Sequence, residues 1–180
     1  MSQPQPKRTI AEGRYLRLVD DDGWEYVQRR HCRAVVALVA ATGDGRLVLI
    51  EQYRPSVKNR VIELPAGLVG DGADRDESLL GAARRELLEE TGYEAGELLQ
   101  VAAGPSSTGL TDEIVTFILA RQLVKRHAGG GVEDERITVH EVPLGEVDGW
   151  LAERERAGRC VDPRVYIGLY FLRREGGLNA

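Results

Sequence analysis

The sequence is poor in features that would place it in a membrane, in a secretory route or in a disulfide-stabilised fold. Its longest unbroken apolar run is AVVALVAA, residues 34 to 41, which is far too short to span a bilayer. The opening MSQPQPKR lacks the apolar core of a secretory signal. Cys32 and Cys160 show no CxxC or Cys/His ligand spacing, so we expect reduced thiols. These absences predict a cytoplasmic protein with no membrane partner.

Basic charge and several catalytic motifs are also missing. The 180 residues carry a net charge of −5 without a large basic patch, which argues against nucleic acid as a partner. The chain has no GxSxG elbow, no GxxxxGK[ST] loop and no HExxH sequence. The three histidines form no ligand spacing. An anionic substrate would therefore depend on a few placed cations and not on the overall field.

Alternating and apolar stretches predict a sheet. Residues 1–12 show no periodicity and are expected to form a flexible N-terminus, whereas residues 13–31 alternate around DDDG and predict a β-hairpin. Further strands are expected in RAVVALVA, RLVLIEQYR, RVIEL, TDEIVTFILARQL and ITVHEVPL. The glycines at 129–131 are expected to form a flexible loop tip.

Three helices are expected among these strands. They are predicted from Asp76 to Thr91, across LGEVDGWLAERERAG, and from Pro163 onwards with Asp162 as its N-cap. The mixture of strands and helices indicates an α/β (α+β) class with a mixed sheet between helices. The main domain is expected to span residues 32–176.

The first of these helices carries an unusual cluster of glutamates in RRELLEETGY, residues 84 to 93. Glu86 and Glu90 are four apart, so their carboxylates lie one above the other, and Glu89 flanks them. Burying such like charges without compensation is costly, and a bound divalent cation removes the cost. Oxygen ligands favour Mg²⁺ or Mn²⁺ over zinc, and Arg85 is placed to orient one carboxylate. A solvated charged face is the alternative for RELLEE alone.

The opposite side of this helix is expected to pack on the core. Leu80, Ala83 and Leu87 fall on one stripe at helical spacing. Gly81 costs about 1 kcal/mol relative to alanine in a helix interior, which suggests that a neighbouring backbone comes close.

The spacing around the glutamates resembles the Nudix box, G-x5-E-x7-R-E-U-x-E-E-x-G-U, in which U is bulky and apolar. Glu77 precedes Arg85 by seven intervening residues, and eight of the nine specified positions match. The departure is Asp71, which stands where the box has glycine. Gly67 in ELPAG supplies that glycine if GDGADRD contains a four-residue insertion.

The resemblance extends over roughly residues 20 to 175 and is strongest to ADP-ribose pyrophosphatases and related nucleoside diphosphate sugar hydrolases. It rests on WEYVQR, EQYRP, ELPAG, GLTDE and the acidic VEDER. It implies an αβα sandwich with a mixed β-sheet plus a small N-terminal hairpin that mediates homodimerisation. It also implies Mg²⁺-dependent cleavage of a diphosphate, with a small-molecule nucleotide as substrate.

The resemblance assigns roles to individual residues. Metal ligands would be Glu86, Glu90 and the backbone carbonyl of Ala66. The base would be Glu135, with Glu133 or a helix glutamate such as Glu89 as alternatives.

Substrate contacts follow from the same resemblance. Arg54 would contact phosphate, while Trp24 and Arg29 would serve the nucleotide site, often from a partner subunit. Glu63 would lie beside the metal cluster. Thr108 replaces a proline usual in ADP-ribose hydrolases, so GDP-mannose, UDP-glucose or a damaged nucleoside triphosphate stay open as substrates, as does a non-catalytic nucleotide sensor.

Overall fold

The computed structural model describes residues 6–71, 74–132 and 136–175, and the predicted class is confirmed within them. The helices are α1 (Leu79–Thr91), α2 (Val147–Arg156) and α3 (Pro163–Glu175). The strands are β1 (Arg8–Glu12), β2 (Leu16–Asp21), β3 (Trp24–Arg29), β4 (Ala34–Ala41), β5 (Arg46–Arg54), β6 (Asn59–Glu63), β7 (Ala66–Val69), β8 (Tyr93–Pro105), β9 (Ile114–Lys125), β10 (Thr138–Pro143) and β11 (Cys160–Val161). Among the described residues, no helix is long and apolar enough to cross a membrane.

The main sheet is mixed and has helices on both faces. Its strand order is β11-β6-β5-β4-β9-β8, with β10 also paired to β5 and β7 to β4. The pairs β4–β9 and β6–β11 are parallel, and the other pairs are antiparallel. Val35, Ala37 and Val39 of β4 pack with α2 and α3, whereas the intervening residues pack with α1. Because side chains alternate across a strand, β4 serves both apolar layers.

The N-terminal hairpin is confirmed and belongs to a separate three-stranded sheet, β1-β2-β3. Strands β2 and β3 turn at Asp22 and Gly23, which both have positive φ. Strand β1 was not predicted, because its five residues are all exposed and give no apolar alternation. The sheet docks on the main domain through Val27, whose N–H donates to the Leu110 carbonyl at 2.8 Å.

Helix α1 is confirmed, but its start and its buried side differ from the prediction. It begins at Leu79 and not Asp76, because the Ser78 side chain caps it by accepting from the Gly81 N–H at 3.0 Å. Leu80 is 42% exposed, so the core side consists of Ala82, Ala83 and Leu87. The close neighbour of Gly81 is this cap itself: an added Cβ would lie 3.1 Å from Ser78 Oγ.

Strands β7, β8 and β11 were also missed. Strand β8 has the sequence YEAGELLQVAAGP, which contains few β-branched residues and is mostly exposed or partly buried. It also contains a bulge between Gln100 and Ala102, which interrupts its register with β9. Its strand character comes from pairing with β9 and not from local preference.

The glycine segment at 129–131 is anchored and is not a free loop tip. The Gly130 N–H donates to the Glu90 carbonyl at 2.8 Å, and the Gly131 N–H donates to the Glu89 carbonyl at 3.1 Å. A Cβ on Gly129 would lie 2.5 Å from the backbone of Thr91. These bonds satisfy carbonyls at the C-terminal end of α1 and fix the chain there.

Candidate active site

The carboxylates of Glu86 and Glu90 both lie against strand β7. Glu90 is only 4% exposed, and its Oε2 accepts a hydrogen bond from the Ala66 N–H at 2.9 Å. The Glu86 carboxyl occupies the space that a side chain on Gly67 would need, since an added Cβ would lie 1.8 Å from its Cδ. The spacing of four residues therefore brings both carboxylates to the Ala66–Gly67 segment.

Arg85 holds three of the surrounding carboxylates at once. Its Nε lies 3.0 Å from Glu77, and its Nη1 lies 2.8 Å from Glu86 and 3.2 Å from Glu89. Its Nη2 donates to the Leu68 carbonyl at 3.2 Å. Arg85 thus links the acidic face of α1 to strand β7.

Burial and neighbouring charge give two of these carboxyl groups opposite shifts. Burial raises the pKa of Glu86 to about 7, although the Arg85 guanidinium opposes the rise. The hydrogen bond from Arg85 holds the pKa of Glu77 below its ordinary value. Burial thus disfavours the charged form of Glu86, whereas the charged form of Glu77 is favoured.

The donor set fits an oxygen-ligated divalent cation. Within the described ranges, no group of three or more His, Cys, Asp or Glu side chains is arranged to hold a metal ion. Mg²⁺ commonly uses one or two carboxylates and completes its shell with waters and substrate phosphates. Glu86 and Glu90 supply two carboxylates beside a backbone segment, and an ion there would offset the cost of burying the charged form of Glu86.

A cleft of about 1010 Å³ opens beside this carboxylate pair. Its wall includes Arg54, Glu63, Ala66, Gly67 and Glu86. Arg54 donates through Nε to both oxygens of Glu63, at 3.1 and 2.9 Å. Glu63 is only 5% exposed, so it does not face water as an ordinary strand residue would.

The remaining predicted residues are only partly brought to this cleft. Arg29 lines it and pairs with Glu113, another residue of the wall. Trp24 is 62% exposed, and neither it nor the exposed Thr108 is among the described residues that line the cleft.

The two candidate bases in the acidic segment, Glu133 and Glu135, lie outside the described residues. The described residues on either side of it make backbone hydrogen bonds. Gly131 is bonded to the Glu89 carbonyl, and the Ile137 N–H donates to the Gly130 carbonyl at 3.3 Å.

The charged residues of the cleft wall that the sequence reasoning missed include two beside the start of α3. Asp162 was assigned only as a helix cap, and Arg164 was given no role, yet both line the cleft. Arg164 directly follows Asp162 and Pro163 at the start of α3. A charged residue at the N-terminal end of a helix was the sequence feature that could have identified it.

The chain matches one protein-family model and is similar to several bacterial proteins. Residues 30–165 match the family model described as NUDIX domain. A relative named methanol dehydrogenase activator, from Bacillus methanolicus, is 31% identical over 177 residues, covering 94% of this chain and 91% of the relative. ADP-ribose pyrophosphatase from Bacillus subtilis (strain 168) is 32% identical over 146 residues, covering 81% of this chain and 75% of the relative.

The chain is also similar to a relative with a different named substrate and to a solved structure. A GDP-mannose pyrophosphatase from Escherichia coli is 34% identical over 134 residues, covering 70% of this chain and 65% of the relative. A solved structure of an ADP compounds hydrolase superposes with a TM-score of 0.73 and covers 97% of this chain and 94% of that chain. Its sequence identity is 22%, so this likeness establishes the shared fold.

Proposed function

The chain belongs to the NUDIX family, and we propose that it hydrolyses the diphosphate bond of a nucleoside diphosphate sugar. The preferred substrate is ADP-ribose, which gives AMP and ribose 5-phosphate. The observation that carries this proposal is the pairing of Glu86 and Glu90 against the Ala66–Gly67 segment, where Glu86 lines a cleft that also contains Arg54. The relative that is an ADP-ribose pyrophosphatase supports the choice of substrate.

Glu86, Glu90 and the Ala66 carbonyl would hold Mg²⁺, with Mn²⁺ as an alternative. When bound, the cation neutralises diphosphate charge and activates water. The task of Arg85 is to keep the acidic face of α1 oriented, because it contacts Glu77, Glu86 and Glu89 together. Phosphoryl transfer gains most from such positioning and from electrostatic stabilisation.

The acidic segment after Gly131 supplies the base. Glu135 takes a proton from the attacking water as the new P–O bond forms. The P–O bond to the bridging oxygen breaks, and the other phosphate monoester leaves with that oxygen. Glu133, or Glu89 on the helix, takes this role if Glu135 does not. The anchoring of Gly130 and Gly131 on the end of α1 supports a base from this segment.

Arg54 binds a substrate phosphate by charge-assisted hydrogen bonds. Trp24 and Arg29 serve the nucleotide base, with the N-terminal sheet of each subunit completing the site of its partner in a homodimer. The high exposure of Trp24 in the single chain supports this assignment.

A panel of nucleotides tests the proposal. ADP-ribose, GDP-mannose, UDP-glucose and a damaged nucleoside triphosphate are incubated with the protein and Mg²⁺, and phosphatase-coupled phosphate release is followed. We expect the highest kcat/KM for ADP-ribose, with AMP and ribose 5-phosphate as products by chromatography. Faster turnover of GDP-mannose would shift the assignment to the activity of the Escherichia coli relative.

A substitution in the carboxylate pair tests the metal role in the same assay. Glu90→Gln keeps side-chain volume but removes a metal-binding charge, so turnover should be lost while the fold is retained. Glu97→Gln, at an exposed position of β8, is the matched control. Turnover of Glu90→Gln within threefold of wild type at saturating Mg²⁺ would contradict the metal role. If the wild-type protein bound nucleotides of the panel tightly but turned over none of them, a non-catalytic nucleotide sensor would be favoured instead.

A further inference from the structure

The cleft wall contains a second arginine that resembles Arg54 in how it is held. Arg164, near the start of α3, donates through Nε to both oxygens of Asp162 at 3.0 Å and through Nη2 to the same carboxylate. Arg54 is held in the same way, through Nε, by Glu63. Each guanidinium is therefore fixed by a carboxylate before any ligand arrives.

These bonds leave donors available on both arginines. Both hydrogen bonds of Arg54 to described residues run from Nε, and none of the bonds of Arg164 to described residues runs from Nη1. Both side chains line the same cleft as Glu86 of α1. A guanidinium that is already oriented loses little further freedom when it binds an anion.

The two arginines also share one buried carboxylate. Glu63 accepts the hydrogen bonds of Arg54, and its Oε1 lies 3.9 Å from Nη2 of Arg164. Glu63 is nearly inaccessible, so the two positive charges stabilise its buried carboxylate. Contact with this one carboxylate also keeps the two arginines close to each other. Asp162 likewise keeps Arg164 charged, since its hydrogen bonds raise the pKa of that guanidinium.

We propose that Arg164 is a second phosphate-binding residue of this site, which holds one phosphate of the substrate diphosphate together with Arg54. The proposal rests on the proposed hydrolase function and extends it. Arg164 binds a phosphate in the ground state and the transition state alike, so it contributes to KM more than to kcat. After hydrolysis, the phosphate it holds leaves with one of the two products.

The test compares Arg164→Met with Arg173→Met, an exposed position on the same helix whose side chain pairs with Asp148. KM and kcat for ADP-ribose are measured, together with inhibition constants for AMP and ribose 5-phosphate. We expect Arg164→Met to raise KM by about tenfold to a hundredfold with kcat within threefold. The inhibition constant of one product, and of one only, should rise at least tenfold.

Other outcomes overturn the inference. Unchanged constants in Arg164→Met, or an equal weakening of both products, would show that Arg164 does not hold a particular phosphate. If Arg164→Met fails to fold, Arg164→Gln removes the charge and keeps a hydrogen-bond donor for Asp162. A wild-type KM in that variant would also overturn the inference. Absence of ADP-ribose turnover in the wild-type protein would instead refute the proposed substrate.

Discussion

Gly67 determines the position of the Glu86 carboxyl because it has no side chain. Its missing Cβ leaves the space in which the Glu86 carboxyl lies. Gly67→Ala would push Glu86 away from β7, and we expect at least a hundredfold loss of kcat/KM with a weaker apparent affinity for Mg²⁺. Mg²⁺ titrations of activity and of thermal unfolding measure both effects.

Gly149→Ala is the control for this substitution. Gly149 lies in α2, and an added Cβ meets nothing within 4 Å. Alanine there should raise helix stability by about 1 kcal/mol and leave activity unchanged. Wild-type Mg²⁺ dependence in Gly67→Ala would mean that Glu86 can shift without loss of function.

Glu86 should make the stability of the metal-free protein depend on pH. Its folded pKa of about 7 lies above its ordinary value of 4.5. Below pH 4.5 the group is protonated in both states and costs nothing, whereas above pH 7 the folded state must hold a buried charge. The free energy of unfolding therefore falls as pH rises through this window, by at most about 3 kcal/mol.

Glu86→Gln removes this dependence because glutamine does not ionise. With a chelator present, urea unfolding should show the variant gaining stability relative to wild type between pH 5 and pH 8. Glu97→Gln on β8 controls for the replacement of a glutamate. An equal difference between Glu86→Gln and wild type at both pH values would contradict the buried-charge argument.

At the scale of single elements, the acidic segment that follows Gly131 in the sequence carries the base in our proposal. Glu135→Gln should lower kcat by about 10²- to 10⁴-fold, the range for a lost general base, with much less effect on KM. Steady-state kinetics with ADP-ribose and Mg²⁺ measure this split. If only Glu133→Gln showed this loss, Glu133 would be the base. If neither variant showed it, the base would be a glutamate of α1 such as Glu89.

Elements with strong local patterns were predictable from the sequence, and elements defined by their partners were not. Helix α1 is marked by its helical spacing and β4 by its apolar run, although the capping role of Ser78 was not predicted. Strands β1, β7 and β8 lack such patterns, because pairing across the sheet stabilises them.

The candidate site divides in the same way. The neighbourhood of Arg85, Glu86 and Glu90 follows from spacing within one helix, which a sequence displays directly. The pairing of Arg54 with Glu63 joins adjacent strands, and Arg164 lies about a hundred positions further along the chain. Such contacts depend on tertiary packing. The family resemblance named Arg54 and Glu63 as site residues, but their pairing and the presence of Arg164 were not predicted.

At the scale of the whole molecule, the main sheet is covered by helices on both faces, whereas the N-terminal sheet exposes apolar side chains. The main sheet is buried between α1 on one face and α2 with α3 on the other. The N-terminal sheet contains Val19 as its buried apolar residue, while Ile10, Leu16 and Trp24 are exposed. A second subunit on this sheet would cover apolar surface that the single chain leaves in water.

We therefore expect a homodimer whose N-terminal sheet completes the nucleotide site of the partner. Light scattering should report twice the chain mass of 19.8 kDa. Stacking of a base on an aromatic side chain is worth about 1–3 kcal/mol, so Trp24→Ala should raise KM for ADP-ribose by roughly 5- to 150-fold. The base is remote from the reacting phosphates, so kcat should change little. Tyr15→Ala, which removes another exposed aromatic of the N-terminal region, is the control. A fully active monomer at nanomolar concentration would rule out the shared site, and an unchanged KM in Trp24→Ala would leave Trp24 without a role in nucleotide binding.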